Sequence, residues 1–314
     1  MKVTILDDWA DTLRTLPCYD LLSNHTVRIL TEPLTEDGIS KAASDAEALV
    51  LFRERTPVTA SLLDGLPNLC LISMRGAHPH IDLDACRARG VTVCSDTAGT
   101  GTNYAAAELT LALLMAAARR IPQNMQAMRE GRWQVDIGMT LRGRTLGIWG
   151  HGRIGRALAG YAEALGMRVV WHGSEAARER VEAEGGTFVN RRTLFAESDA
   201  VSLHLRLVPE TRGIVTAGDL ALMLPHAIFV NTSRAGLIAP GALSEALKAG
   251  RPGYAAIDVF DEEPTATDPL LSMPNVVATP HLGFVTTDEL DRQFADAFAQ
   301  VNAFADGTPI NVVT

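Results

Sequence analysis

Thr145-Leu146-Gly147-Ile148-Trp149-Gly150-His151-Gly152-Arg153-Ile154-Gly155 is the stretch that decides the fold of this 314-residue chain. An apolar run leads straight into a G-x-G-x-x-G turn. Arg156–Leu165 then carries a helical pattern, and after Gly166-Met167 a second apolar run spans Arg168–Trp171. Strand, glycine turn, helix and strand in that order are what a dinucleotide-binding βαβ unit requires. The first glycine permits the tight turn, the second lets backbone approach a pyrophosphate, and the third allows the helix to pack on the strand. Phosphate oxygens then face the free N–H groups and the positive dipole end of that helix. Gly150, Gly152, Arg153, Ile154 and Gly155 are therefore candidate phosphate-binding residues.

The same alternation extends in both directions. After Gly143, strands are predicted at Thr145–Trp149, Arg168–Trp171, Ala200–Leu203, Ile228–Asn231, Ala255–Asp258 and Val276–Thr279. Before it, Val3–Leu6, Val27–Leu30, Ala48–Leu51, Leu69–Ser73 and Val91–Val93 alternate with helical segments such as Glu36–Ser44, Thr59–Leu63 and Asp82–Arg89. Short apolar strands separated by helices mean βαβ units, hence an α/β chain with mostly parallel, doubly wound sheets. Thr97–Thr102 punctuates the two series, and a long helix is predicted from about Tyr104 to Arg119. A closing helix, Thr287–Phe304, lines up Leu290, Phe294, Ala297, Phe298, Val301 and Phe304 on one apolar face.

Composition narrows the function classes. With 28 Lys+Arg against 37 Asp+Glu the net charge is −9, which argues against nucleic-acid or acidic-membrane partners. A small anionic substrate needs only two or three local cations and stays open. Hydrophobic residues make up 47% of the chain, which rules out a largely disordered polymer. Cys18, Cys70, Cys86 and Cys94 show no metal-like or redox spacing, so they read as reduced, buried thiols and no metal site is expected. The apolar run Leu109–Ala118 stops at Arg119-Arg120, too short to span a bilayer. With no apolar signal core at the N-terminus, a cytoplasmic protein is expected.

The dinucleotide fingerprint departs from its usual form at one place. Where an acid would hydrogen-bond the ribose hydroxyls of NAD, the chain reads His172-Gly173-Ser174. Glycine removes the repulsion such an acid would exert on the extra phosphate of NADP, and Ser174, Arg178 and Arg180 could supply hydrogen bonds and positive charge. The cofactor expectation is NAD(P), leaning to NADP. Glu175 opposes that reading, because a small loop shift would bring it into the acid's role. Arg178 and Arg180 otherwise read as solvated helix-face residues.

Three motifs follow at strand ends, where open α/β sheets carry their sites. They are Asn231-Thr232-Ser233-Arg234-Ala235-Gly236, Asp258-Val259-Phe260-Asp261-Glu262-Glu263-Pro264 and Thr279-Pro280-His281-Leu282-Gly283. Together with Ile81-Asp82-Leu83-Asp84, Gly131-Arg132-Trp133, Leu141–Gly147, Val201–Leu205 and Pro209–Gly213, they make nearly the whole chain resemble the D-isomer-specific 2-hydroxyacid dehydrogenases. That family includes phosphoglycerate dehydrogenase and glyoxylate and hydroxypyruvate reductases. The resemblance implies two Rossmann-like domains. Residues 99–285 would form the dinucleotide-binding domain, and 1–98 plus 286–314 a discontinuous, flavodoxin-like substrate domain. It implies hydride exchange between a nicotinamide dinucleotide and a small 2-oxo or D-2-hydroxy acid.

Arg234 would hold the carboxylate and carbonyl oxygen with its planar fork of donors. His281 would be the acid/base, and Glu263 its partner, fixing the ring and favouring the imidazolium form. Asp258 matches the position that holds the nicotinamide carboxamide, with a backbone-capping strand-end acid as its bland reading. His204, Thr232, Ser233 and Gly283 join Gly173 and Ser174 as cofactor contacts.

On the substrate side, Arg53 and Arg55 match a loop that contacts substrate, and Arg75, Gly76 and Ala77 one whose N–H groups take the carboxylate. Here the family generally runs Gly-x-Gly-x-Asp-Asn-Ile-Asp, whereas this chain has Arg75-Gly76-Ala77-His78-Pro79-His80-Ile81-Asp82. Pro79 also lacks a backbone donor. The departure leaves the substrate open, and His78 and His80 read as exposed loop histidines.

Two other functions use the same fold. One is a dinucleotide-sensing, corepressor-like binding protein, but such relatives carry interaction tails, whereas this chain closes eight residues after Asp306, and a pure sensor would not need Arg234, Glu263 and His281 together. The other is phosphoglycerate oxidation in serine synthesis, for which no extra cationic cluster stands out beyond Arg53, Arg55 and Arg75. A homodimer is expected by resemblance, and the helix bearing Leu109, Leu111, Leu113, Leu114 and Met115 is apolar almost all round.

Overall fold

The structure, a computed structural model, describes residues 1–97 and 104–314. The expected punctuation from residue 98 onward, and the expected domain boundary at 98/99, lie outside the described residues. The chain divides into two compact units, Met1–Gly101 with Thr286–Thr314, and Thr102–Val285.

In the first unit, β1 (Lys2–Ile5), β2 (Thr26–Ile29), β3 (Ala48–Val50), β4 (Leu71–Arg75) and β5 (Thr92–Asp96) form a parallel sheet in the order β2-β1-β3-β4-β5. This is the flavodoxin-like order, which reverses between β1 and β3. Helices start where side chains can accept their free N–H groups: Thr59 accepts from Leu62 and Asp82 from Ala85. The helix Thr287–Ala305 returns to this unit and buries Leu290, Phe294, Ala297, Phe298 and Val301. A fully buried Phe such as Phe298 contributes about 1.5–3 kcal/mol through burial alone.

The second unit holds β6 (Thr145–Trp149), β7 (Arg168–His172), β8 (Thr187–Phe188), β9 (Ala200–Leu203), β10 (Ile228–Asn231), β11 (Tyr254–Ile257) and β12 (Val276–Ala278). Their order is β12-β11-β10-β9-β6-β7-β8, every pair parallel. The chain winds outward from β6 to β8, then crosses to β9 and winds the other way, which is the doubly wound dinucleotide-binding order. Strands β6, β9 and β10 are buried along their whole length, as sheets covered on both faces require. Strand β8 was not among the six expected. It is two residues long at the sheet edge and follows Gly185-Gly186, so no apolar run announces it.

Candidate active site

The reversal of strand order between β6 and β9 positions the glycine turn. Gly150 sits just past β6 at φ +113°, and a Cβ there would stand 2.3 Å from the His204 carbonyl oxygen, just past β9. Only glycine fits that conformation and that approach. Gly155 is buried, and its Cβ would lie 2.5 Å from the Gly150 carbonyl oxygen, so its hydrogen lets the helix Arg153–Ala164 press onto the strand. That helix starts three residues earlier than its periodicity predicts, because Gly152 is its N-cap and Arg153 and Ile154 its first turn. Over Gly152 a Cβ would meet nothing within 4 Å. Open room above a glycine at the N-terminus of a twelve-residue helix fits the pyrophosphate of a dinucleotide.

Next to the turn, His151 is buried, packs edge-on against Trp171 at 4.7 Å and places Nε2 3.1 Å from Glu184. Past β7, a Cβ on Gly173 would come within 3.0 Å of the Ala177 Cβ. Ser174 caps the helix Glu175–Ala183, its hydroxyl accepting the Ala177 N–H at 3.3 Å. Arg178 is exposed and pairs with Glu182 at 2.9 Å and Glu175 at 3.8 Å. His204 forms a 2.9 Å hydrogen bond with Ser202, and burial pushes its imidazole down to about 4, so it is neutral at physiological pH.

The loop after β10 is set by Asn231, whose amide donates to the Arg234 carbonyl at 2.9 Å and whose oxygen accepts the Ser233 N–H at 3.0 Å. The Ser233 hydroxyl donates to the Leu203 carbonyl, tying this loop to the end of β9. The Thr232 and Thr110 hydroxyls lie 2.7 Å apart. Because Thr110 donates to the Ala106 carbonyl, Thr232 is the donor of that pair. The Arg234 guanidinium is half-buried and donates to the Ser233 carbonyl at 2.7 Å.

Asp258 is fully buried, and burial raises its carboxyl above the ordinary range against the pull of its hydrogen bonds. Oδ1 accepts from the Thr279 hydroxyl at 2.6 Å and the Leu282 N–H at 2.7 Å, and Oδ2 from the Gly283 N–H at 2.9 Å. The end of β11 thereby anchors the loop carrying His281. His281 itself has φ +55°, a left-handed conformation uncommon outside glycine and a mark of functional loops. Its Nδ1 lies 2.6 Å from Glu263 Oε2. A carboxylate can only accept, so Nδ1 carries the proton and Nε2 is left for chemistry. Burial pushes the Glu263 carboxyl up, but the hydrogen bond and charge of His281 and the Phe260 N–H outweigh it, and the net shift is downward. The structure thus brings Glu263 and His281 into contact.

In the first unit, Gly76 has φ +104° and donates its N–H to Asp96, while its carbonyl accepts from the Ser95 hydroxyl. His78 and His80 lie in a loop as expected but are not exposed, contrary to their reading as exposed loop histidines. Both are half-buried, and burial lowers the His80 imidazole. The reason is the bridge between Val58 and Ile81, which pulls this loop inward through the Val58 N–H on the His80 carbonyl and the Asp82 N–H on Val58. Sequence reasoning did not single out Asp7 or Trp9, whose partner Arg55 lies far along the chain.

Residues 111–283 match the family described as D-isomer specific 2-hydroxyacid dehydrogenase, NAD binding domain. The chain is 36% identical over 281 residues to a D-3-phosphoglycerate dehydrogenase of Methanocaldococcus jannaschii, an alignment covering 86% of this chain and 53% of that protein. It is 37% identical over 267 residues to a glyoxylate reductase of Thermococcus litoralis, covering 82% and 80%. The solved structure of a phosphoglycerate oxidoreductase from Vibrio cholerae O395 superposes with a TM-score of 0.93 at 42% identity, covering 98% of this chain and 99% of that one. The chain spans about half the length of the phosphoglycerate dehydrogenases it matches.

Proposed function

The chain belongs to the D-isomer specific 2-hydroxyacid dehydrogenase family, and on that premise we propose that it reduces a small 2-oxo acid to the D-2-hydroxy acid, or runs the reverse oxidation. The observation that carries the reading is the 2.6 Å contact of Glu263 with His281, in a unit whose Gly150–Gly155 turn fits a dinucleotide. When bound, the dinucleotide supplies or accepts the hydride. Arg234 holds the substrate carboxylate and carbonyl oxygen with guanidinium donors. His281 gives the carbonyl oxygen its proton from Nε2 in reduction and takes it back in oxidation, while Glu263 holds the ring by Nδ1 and stabilises its positive charge. Asp258 anchors the Leu282-Gly283 backbone and orients the nicotinamide amide. Gly152, Arg153 and Ile154 meet the phosphates. His204, Thr232 and Ser233 line the cofactor's path. Arg53, Arg55, Arg75, Gly76 and Ala77 contact the substrate.

NADP is the proposed preference, supported by Gly173 in place of an acid. A cytoplasmic setting is proposed on the four free thiols, of which burial pushes Cys18 up to about 12 and Cys94 to about 11. Among the described residues, no helix is long and apolar enough to cross a membrane. A homodimer is proposed because Ile121, Met125, Met128, Trp133, Val135 and Ile137 expose their side chains in one short segment, Ile137 to 90%.

The test is oxidation of NADH and NADPH in parallel against glyoxylate, hydroxypyruvate, pyruvate and longer 2-oxo acids, with His281→Ala beside the native chain. Loss of a general acid typically costs about 10²–10⁴-fold in rate. Turnover unchanged in His281→Ala, or absent with every acid, overturns the reading.

A further inference from the structure

The N–H groups read above as meeting the phosphates, those of Gly152, Arg153 and Ile154, lie between two residues held by one carboxylate. Glu184 Oε2 stands 3.1 Å from His151 Nε2, and Glu184 Oε1 stands 3.6 Å from Arg156 Nη1. His151 precedes the open glycine, and Arg156 closes the first turn of the helix Arg153–Ala164. Glu184 itself ends the helix Glu175–Ala183 and is followed by Gly185 at φ +77°. All these residues belong to the second compact unit. A Cβ on Gly152 would meet nothing within 4 Å, so no neighbouring side chain steadies the turn from that side.

A histidine is a costly way to fill this position. The His151 side chain is 3% exposed and stands edge-on to Trp171, whose ring would also lie 3.4 Å from a Cβ on Gly155. A carboxylate only accepts, so Nε2 donates to Glu184. Nδ1 is buried without a hydrogen-bond partner among the described residues, a loss that an apolar ring would avoid. Phenylalanine would fill the same volume against Trp171. What histidine adds is the bond to Glu184. The Glu184–Arg156 contact joins two half-exposed side chains and fixes little by itself. The buried imidazole is the member that gives the cluster one geometry.

We propose that His151 and Glu184 are positioning residues for the dinucleotide. Their hydrogen bond, with the tie to Arg156, holds both ends of the segment 152–155, so its N–H groups are aimed before the phosphates arrive. The pair takes no part in proton transfer at His281. It sets the affinity for the dinucleotide and leaves the chemical step alone. The inference rests on the dinucleotide reading of the Gly150–Gly155 turn.

The experiment titrates NADH and NADPH into the full chain by calorimetry, for the native protein, His151→Phe, His151→Gln, Glu184→Ala and the double variant His151→Phe/Glu184→Ala. His151→Phe keeps a ring on Trp171 but loses the donor, and should raise Kd about tenfold. Its kcat at saturating dinucleotide, with the best 2-oxo acid of the panel, should stay within about twofold of native. His151→Gln restores an N–H that reaches Glu184 and should bind within about threefold of native. The double variant should bind within about twofold of Glu184→Ala, since one bond can be lost only once. If His151→Phe does not fold, a near-native His151→Gln beside a tenfold loss in Glu184→Ala supports the inference, and native affinity in Glu184→Ala overturns it. Native affinity in His151→Phe, losses that multiply in the double variant, or a kcat that falls as far as the affinity overturns the inference and leaves the dinucleotide reading standing. A native chain that binds neither dinucleotide overturns both.

Discussion

The two strand-order reversals of this chain are built from different materials. At β6/β9 the crevice is made by backbone: Gly150 passes the His204 carbonyl, Gly155 passes the Gly150 carbonyl, and Gly152 leaves a helix end open. At β1/β3 it is made by side chains: Asp7, Thr56 and an arginine gripped by two rings. A backbone crevice suits a ligand part common to every member of a family, because N–H groups are the same whatever the neighbouring side chains. A side-chain crevice suits discrimination between substrates. The first reversal therefore suits a ligand part that is shared, and the second one that varies.

The hardest blow to that contrast is Gly150→Ala. The added methyl would have to share space with a backbone oxygen 2.3 Å away, at a φ that alanine avoids. Overpacking and backbone strain together should cost about 2–5 kcal/mol, read as a fall in Tm on the order of 5–15 °C. Dinucleotide affinity should weaken at least about tenfold, because the turn must move off its strand. Asp7→Asn should leave dinucleotide affinity where it was. Equal loss of dinucleotide binding in both variants would erase the division of labour; normal binding by Gly150→Ala would show that the glycine does not shape the turn.

Glu263→Gln is the next largest change and separates holding the imidazole from charging it. Glutamine can still accept from Nδ1, but it cannot balance an imidazolium. A decline in kcat/KM of about 10- to 100-fold should follow, with the substrate ratios unmoved. Stability should respond to pH in a defined direction. His281 holds the Glu263 carboxyl below its ordinary value, so the pair's contribution is complete above the unfolded-state pKa of glutamate. It declines progressively once pH falls below that ordinary glutamate value and is gone when pH has fallen through the depressed value. Thermal melts from neutral to acid pH should show the native chain's advantage over Glu263→Gln shrinking progressively once pH falls below the ordinary glutamate range. An advantage that is flat with pH would remove His281 as the source of the shift.

How much of this could be read from sequence follows the same divide. Strands at Thr145–Trp149, Ala200–Leu203 and Ile228–Asn231 fall where their apolar runs predict, because burial on both faces leaves a continuous signal. The glycine turn and the Arg234, Glu263 and His281 motifs are local, each within a few residues of a strand end. The helix after the turn begins earlier than its apolar period, at the Gly152 N-cap. Asp7 and Arg55 are 48 positions apart, and His80 is drawn inward by a bridge to Val58. Relations of that kind depend on strand order, which no local pattern encodes.

Arg178→Ala should produce the smallest effect, and it tests the edge of the backbone crevice where side chains take over. Gly173 removes the acid that would repel the extra phosphate of NADP, yet its Cβ space is nearly closed by Ala177, so selectivity must come from what surrounds it. Arg178 is the first basic residue of the following helix, and it is exposed and shared between Glu182 and Glu175. An exposed arginine already paired in this way gains little from one more anion. Its loss should raise the KM for NADPH about two- to fivefold, leave that for NADH unchanged, and weaken further as salt screens the charge. A tenfold or larger loss would make Arg178 the main phosphate ligand. No change would mean that Arg178 does not contact the extra phosphate, and any discrimination would then rest on the missing acid at Gly173 alone.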